Sequence, residues 1–123
     1  MTAYDDNNIF ARLLRGEIPS KKLYENDQAI VINDINPMTP IHVLVIAKGK
    51  YISFVDFSAK ASDAEIAGYV RAISEATRIS GAEKDGYRLI FNIGPNSHSE
   101  VPHLHAHILG GRSLGSKLVK DAE

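Results

Sequence analysis

Cysteine is missing from all 123 residues of the chain, and its absence excludes disulfides, thiolate nucleophiles and thiolate metal ligands together. That fits a reducing compartment, and it leaves only histidine and carboxylate to build any metal site. An excess of charge of either sign is also missing. Fourteen Lys and Arg stand against fifteen Asp and Glu, a formal net charge of -1, so the chain lacks the electrostatic footprint with which proteins hold nucleic acid or anionic membranes. Nothing approaches the length of a membrane span, and the N-terminal stretch MTAYDDNNIF has neither the basic start nor the apolar run of a signal peptide. A cytoplasmic location, with no nucleic-acid and no membrane partner, is the expectation. Internal repeats, low-complexity tracts and long linkers are lacking too. With 44% hydrophobic residues the chain reads as one globular domain over 1–123.

What is present falls into short elements. Ile9, Phe10, Leu13 and Leu14 recur at helical spacing, and Gly16 followed by Pro19 supplies a stop, which predicts a short N-terminal helix. KKLYE and AIVIND flank Asn26 and Asp27, which tolerate positive φ and suit a hairpin turn. NPMTP cannot continue a strand, because its prolines lack ladder donors, whereas HVLVIA after it reads as a buried strand. Ser62 and Glu65 make a capping-box pattern ahead of Ile66, Tyr69, Val70, Ile73, Ala76 and Thr77 on one helical face, and Gly81 would end that long helix. YRLIFNI and HLHAHIL both alternate as strands do. Strands come in runs rather than in strict alternation with helices. The class is therefore α+β, a mainly antiparallel five-stranded sheet with a short N-terminal helix and one long helix packed on it.

The chemistry gathers in VPHLHAHILGG. Only five histidines occur in the chain, and three of them, His103, His105 and His107, stand at alternate positions with Leu104, Ala106 and Ile108 between. On a strand the imidazoles share one face and the apolar residues bury the other, and residues two apart lie within about 7 Å of each other. Such a row suits a zinc site with an open position, histidine acid, base or nucleophile chemistry, or a binding surface; core or scattered surface histidines are the plainer readings. Upstream, Gly94, Pro95, Asn96 and Ser97 form a turn-rich loop able to present backbone N–H groups to an anion. His98 and Glu100 flank Ser99 in the same loop, where Glu100 is either solvated or part of a metal shell.

HLHAHILGG resembles the His-x-His-x-His signature, with x apolar, of the histidine triad nucleotide-binding proteins. The likeness runs from about Asn8 to Arg112. NIFARLLRGEIPSKKLYE, INDINPMTPIHVLVIAKG and GYRLIFNIG resemble, in order and spacing, the family's N-terminal helix, its Asp-containing strand with the following Pro loop, and its penultimate strand. The resemblance implies a homodimer whose sheet continues across the interface, binding of nucleoside 5′-monophosphates, and no cofactor. His105 matches the nucleophile that attacks the α-phosphorus and carries the nucleotidyl group until water removes it. His107 matches the histidine that contacts the phosphate and assists the leaving group, and His103 the one that helps position the site. His42 matches the histidine that hydrogen-bonds into the triad. Asp34 matches the ribose-binding acid, whose two oxygens can accept from both hydroxyls. Asn92 and Ser99 are the candidate phosphate-side residues, and Phe10, Ile32 and Ile35 the apolar slot for the base, with Leu13 read as core.

A third triad histidine, rather than glutamine, places the chain by resemblance nearer the Hint branch. Its expected substrates are purine nucleoside 5′-phosphoramidates of the AMP-N or AMP-lysine type. The alternatives are a dinucleoside polyphosphate hydrolase, a non-catalytic nucleotide-binding module and a zinc enzyme built on the same imidazoles. The chain departs from relatives in several places. His98-Ser99 stands where many have Gly-Gln, Glu100 where Hint-type members have Ser, and Lys50 where a second histidine is common. Asn8 and Ala11 occupy the positions of a zinc-binding Cys pair in bacterial relatives, so no metal is expected. The tail SLGSKLVKDAE lacks the aromatic C-terminal segment of animal Hint proteins.

Overall fold

The stretch IHVLVIA is apolar at nearly every position because the strand it forms, β3 (Ile41–Ala47), is covered on both faces. The computed structural model describes residues 3–119. Of the single domain expected over 1–123, residues 1, 2 and 120–123, the last four of the tail, lie outside the described residues. On one side β3 pairs with β2 (Ala29–Asn33), which in turn pairs with the two-residue β1 (Tyr24–Glu25). On the other it pairs with β5 (His105–Gly110), which pairs with β4 (Tyr87–Ile90). Every pairing is antiparallel and the order is β1-β2-β3-β5-β4. The architecture is α+β with a five-stranded antiparallel sheet.

One face of the sheet carries Val31, Val43, Val45, Ala106 and Ile108 against Tyr69, Ala72, Ile73 and Ala76 of the long helix α3 (Asp63–Ser80). Tyr69 brings a hydroxyl into this core and donates it to the carbonyl of Val45 at 2.8 Å, so burial leaves no orphaned group there. The opposite face carries Ile30, Ile32, Leu44 and Ile46 beneath Phe10 of α1 (Ile9–Leu14), with Leu13 and Leu14 packed at the margin. The reciprocal bonds between Ser62 and Glu65 start α3, and Gly81 at φ 85 ends it in the left-handed region that favours glycine.

Several elements differ from the sequence expectation. Two further helices occur, α2 (Phe54–Lys60) and α4 (Ala82–Asp85). α2 begins with a capping box in which Asp56 replaces the usual Glu or Gln, accepting from the backbone N–H groups of Ile52 and Ser53 at 2.8 Å each. β4 stops at Ile90 rather than Ile93, since Gly94 at φ 77 and a 3-10 turn over Pro95–Ser97 lead the chain away from the sheet. Val70, expected on the buried face of α3, is exposed, and Ala72 lies on that face instead. The β1–β2 turn forms at Asn26 and Asp27 without positive φ at either. Asn26 Oδ1 accepts from the backbone N–H groups of Gln28 and Ala29, and its amide donates to the carbonyl of Gly68, which ties the hairpin to α3.

Candidate active site

Leu104, Ala106 and Ile108 fill the core under α3, and the alternation of the chain turns His105 and His107 to the opposite face. There His107 lies across from Leu44 and His105 across from Ile46 of β3. His103 departs from the expected row. It precedes β5, its ring is fully buried, and both ring nitrogens are used: one faces the carbonyl of Ala47 at 2.6 Å, the other the hydroxyl of Tyr4 at 2.5 Å. The three imidazoles therefore do not converge on one point. His105 and His107 meet edge to face with ring centroids 5.0 Å apart, and Phe10 closes on His105 at 4.8 Å.

The partners fix which nitrogen carries each proton. Met38 donates its backbone N–H to Nδ1 of His42, so the proton of His42 is on Nε2, and from there it is donated to Nδ1 of His107 at 2.9 Å. The remaining N–H of His107 is then on Nε2. His105 Nδ1 lies 2.7 Å from the carbonyl of His103, an acceptor, so this nitrogen donates and Nε2 keeps a free lone pair. Burial pushes His103, His105 and His107 below the ordinary imidazole value. His107 is brought down to about 4, by burial first and then by neighbouring His105 and His42, with Asp34 opposing. All three are neutral at pH 7.

A cavity of about 190 Å³ opens over these rings. His105, His107, Asp34, Asn92 and Ser99 line it, with Phe10, Leu44 and Val101 as apolar wall. Asp34, half-buried, accepts the backbone N–H of Asn36 on one oxygen at 2.8 Å, and its other oxygen stands 3.4 Å from Nε2 of His42. It thus caps the turn before Pro37 and still presents a carboxylate to the site. The exposed residues His98 and Glu100 complete the rim, and His98 is the one non-glycine described residue with positive φ, 57.

Two members of the expected base slot stand elsewhere. Ile32 is buried in the layer beneath, and Ile35 is 90% exposed and outside the cavity lining, because the chain has already left β2 for the proline loop. Leu44 and Val101 hold the wall in their stead. Leu44 was readable, two residues beyond His42 on the same strand face. Tyr4 was not, since 99 positions separate it from His103.

A metal-capable group is present, but it is not the row of three. Asp34, His42 and His107 place one donor atom each within 4.8 Å of one another. The proton shared between His42 and His107 occupies that spot, and a cation would have to displace it. A zinc centre on the three triad imidazoles is contradicted by His103, whose nitrogens are both engaged.

Comparison with known proteins identifies the family. The HIT domain matches residues 15–114. A 13.2 kDa HIT-like protein of Azospirillum brasilense is 53% identical over 117 residues, covering 95% of this chain and 96% of its own. The purine nucleoside phosphoramidase of Escherichia coli is 38% identical over 116 residues, covering 92% and 94%. Among solved structures, a HIT family hydrolase from Clostridium thermocellum superposes with a TM-score of 0.84 at 34% identity, covering 94% of this chain and 99% of its own. The chain belongs to the HIT family, the histidine triad group of hydrolases and nucleotide-binding proteins.

Proposed function

We propose that this protein is a Hint-type nucleotidyl hydrolase that cleaves purine nucleoside 5′-phosphoramidates through a covalent intermediate on His105. The observation that carries this is the bond from His105 Nδ1–H to the carbonyl of His103, which leaves the Nε2 lone pair free on a ring that lines the cavity. In the first step Nε2 attacks the α-phosphorus, the P–N bond breaks, and the departing amine takes its proton from solvent. Because His107 is neutral, it offers the phosphate a hydrogen bond from Nε2–H rather than a proton. In the second step water attacks the same phosphorus and gives up a proton to solvent, the N–P bond to His105 breaks to return its neutral ring, and the nucleoside monophosphate leaves. Asp34 holds the ribose, Asn92 and Ser99 attend the phosphate, and Phe10 with Leu44 and Val101 receives the base. His42 keeps His107 in the donating tautomer, and His103 supplies the carbonyl that orients the nucleophile.

The same proposal includes a homodimer. β4 is an outer strand with Tyr87 and Leu89 exposed, and beside it Phe54, Val70 and Phe91 line an apolar hollow of about 220 Å³. The test of activity is steady-state hydrolysis of adenosine 5′-phosphoramidate, with and without chelator, beside His105→Ala. Chelator-resistant turnover should fall on the order of 10⁴-fold in the variant with AMP binding kept. Turnover retained in the variant would sink the proposal. Rates on a dinucleoside polyphosphate, measured alongside, separate that alternative. A non-catalytic reading is favoured by one feature, the Glu100 carboxylate on the rim where a phosphate would sit, and AMP binding without any turnover would select it.

A further inference from the structure

The hydrolase proposal places the nucleophile on His105, and the page shows what holds His105 still: the backbone carbonyl of His103. That carbonyl belongs to a residue outside any strand, so sheet hydrogen bonding does not fix it. The Leu104 N–H of the same peptide unit donates to the carbonyl of Tyr51 at 2.8 Å, and three further contacts hold His103 itself. The backbone N–H of His103 donates to the carbonyl of Val101, its Nε2–H donates to Ala47 on β3, and its Nδ1 accepts the hydroxyl of Tyr4. The first two leave the ring with an unpaired, buried Nδ1. A buried nitrogen without a partner is costly, and among the described residues the Tyr4 hydroxyl is the group that meets this one.

Tyr4 comes from the segment ahead of α1, and that segment is pinned along its length. Asp6 pairs with Lys50 at 2.8 Å, and Arg15 donates to the carbonyl of Asp6 at 2.7 Å. Asn8 donates to the carbonyl of Asp5 and accepts the N–H groups of Phe10 and Ala11, starting the helix whose Phe10 touches both His103 and His105. The ring of Tyr4 meets His103 edge to face at 5.6 Å. It also lines a separate cavity of about 510 Å³ between this segment and α2, and its hydroxyl reaches from there to the triad.

We infer that Tyr4 is a positioning residue for the triad, holding the orientation of His103, whose tautomer the Ala47 carbonyl sets, and, through the His103 carbonyl, the aim of His105. This rests on the proposed nucleophilic role of His105. The experiment compares the wild-type chain with Tyr4→Phe, which keeps the ring packing and removes one oxygen. Two readouts are taken: imidazole ¹⁵N spectra of His103 and His105 at pH 7, and kcat and KM on adenosine 5′-phosphoramidate. In the wild type His103 should show a protonated Nε2 and a hydrogen-bonded, unprotonated Nδ1. In Tyr4→Phe the Nδ1 signal should move, and kcat should fall about ten-fold while KM changes less than about three-fold. A wild-type His103 carrying its proton on Nδ1 would overturn the inference before any variant is made. An unchanged kcat in Tyr4→Phe, with the wild type active, would overturn it as well. If the wild type binds AMP without turnover, the hydrolase proposal fails instead, and an unmoved Nδ1 signal in Tyr4→Phe still overturns the contact.

Discussion

His103, His105 and His107 each have a ring nitrogen committed to a backbone group or to another ring, and burial, rather than a charged partner, is the first cause of their lowered proton affinity. His105 and His107 are held below the ordinary value of 6.5, with burial as the main cause in both. Turnover should therefore be level through neutral pH and decline in acid with a midpoint below 6.5, as protonation removes the Nε2 lone pair. Stability has the same sign. His103, His105 and His107 take up protons near 6.5 in the unfolded chain but only at lower pH in the folded one, so over that interval the unfolded state binds more protons and stability falls with decreasing pH. For His107 the contribution is complete above 6.5 and lost by about 4. Denaturant unfolding at pH 7, 6 and 5, above the ordinary carboxylate value of 4.5, should show the decline; a flat profile over that interval would contradict neutral, buried imidazoles.

β5 performs two tasks through one alternation: one set of side chains anchors the strand and the other faces the ligand. Leu104, 2% exposed and immediately ahead of β5, continues the anchoring side of that alternation next to the nucleophile. Leu104→Ala should cost about 2–5 kcal/mol of stability by opening a cavity, read from the denaturant midpoint, and it should lower kcat because the segment bearing the His103 carbonyl loses its support. This strand is plain in the sequence, since polar and apolar residues alternate from His103 to Ile108. α3 is equally plain through Ser62, Glu65 and Gly81. α2 was hidden because Asp56 stands in its capping box in place of Glu, and Phe54 and Val55 stay exposed where an amphipathic pattern would bury them. In the site, the family pattern named His105, His107, His42, Asp34 and Asn92, all of which the fold brings together. Ile35 instead lies exposed on a loop, and His103, which the alternation puts beside its neighbours, precedes β5 with its ring buried rather than open to the cavity.

In the molecule as a whole, the edge strand β4 leaves Tyr87 and Leu89 exposed, and no helix among the described residues is long and apolar enough to cross a membrane. Pairing of β4 with its copy would hide Tyr87, Leu89 and the hollow beside Phe54. Leu89→Arg should then convert a dimer into a monomer, halving the mass measured by light scattering; a wild type that is already monomeric would refute the dimer. The strand order has a further consequence in time. His42 and His107 are 65 positions apart, and Tyr4 and His103 are 99, so the site depends on closing long loops. Helices and the β1–β2 hairpin can form locally and early, but none of them holds a nucleophile beside its orienting groups. Recovery of turnover after dilution from denaturant should thus lag the return of helical signal, which makes catalysis a reporter of the final long-range step of folding.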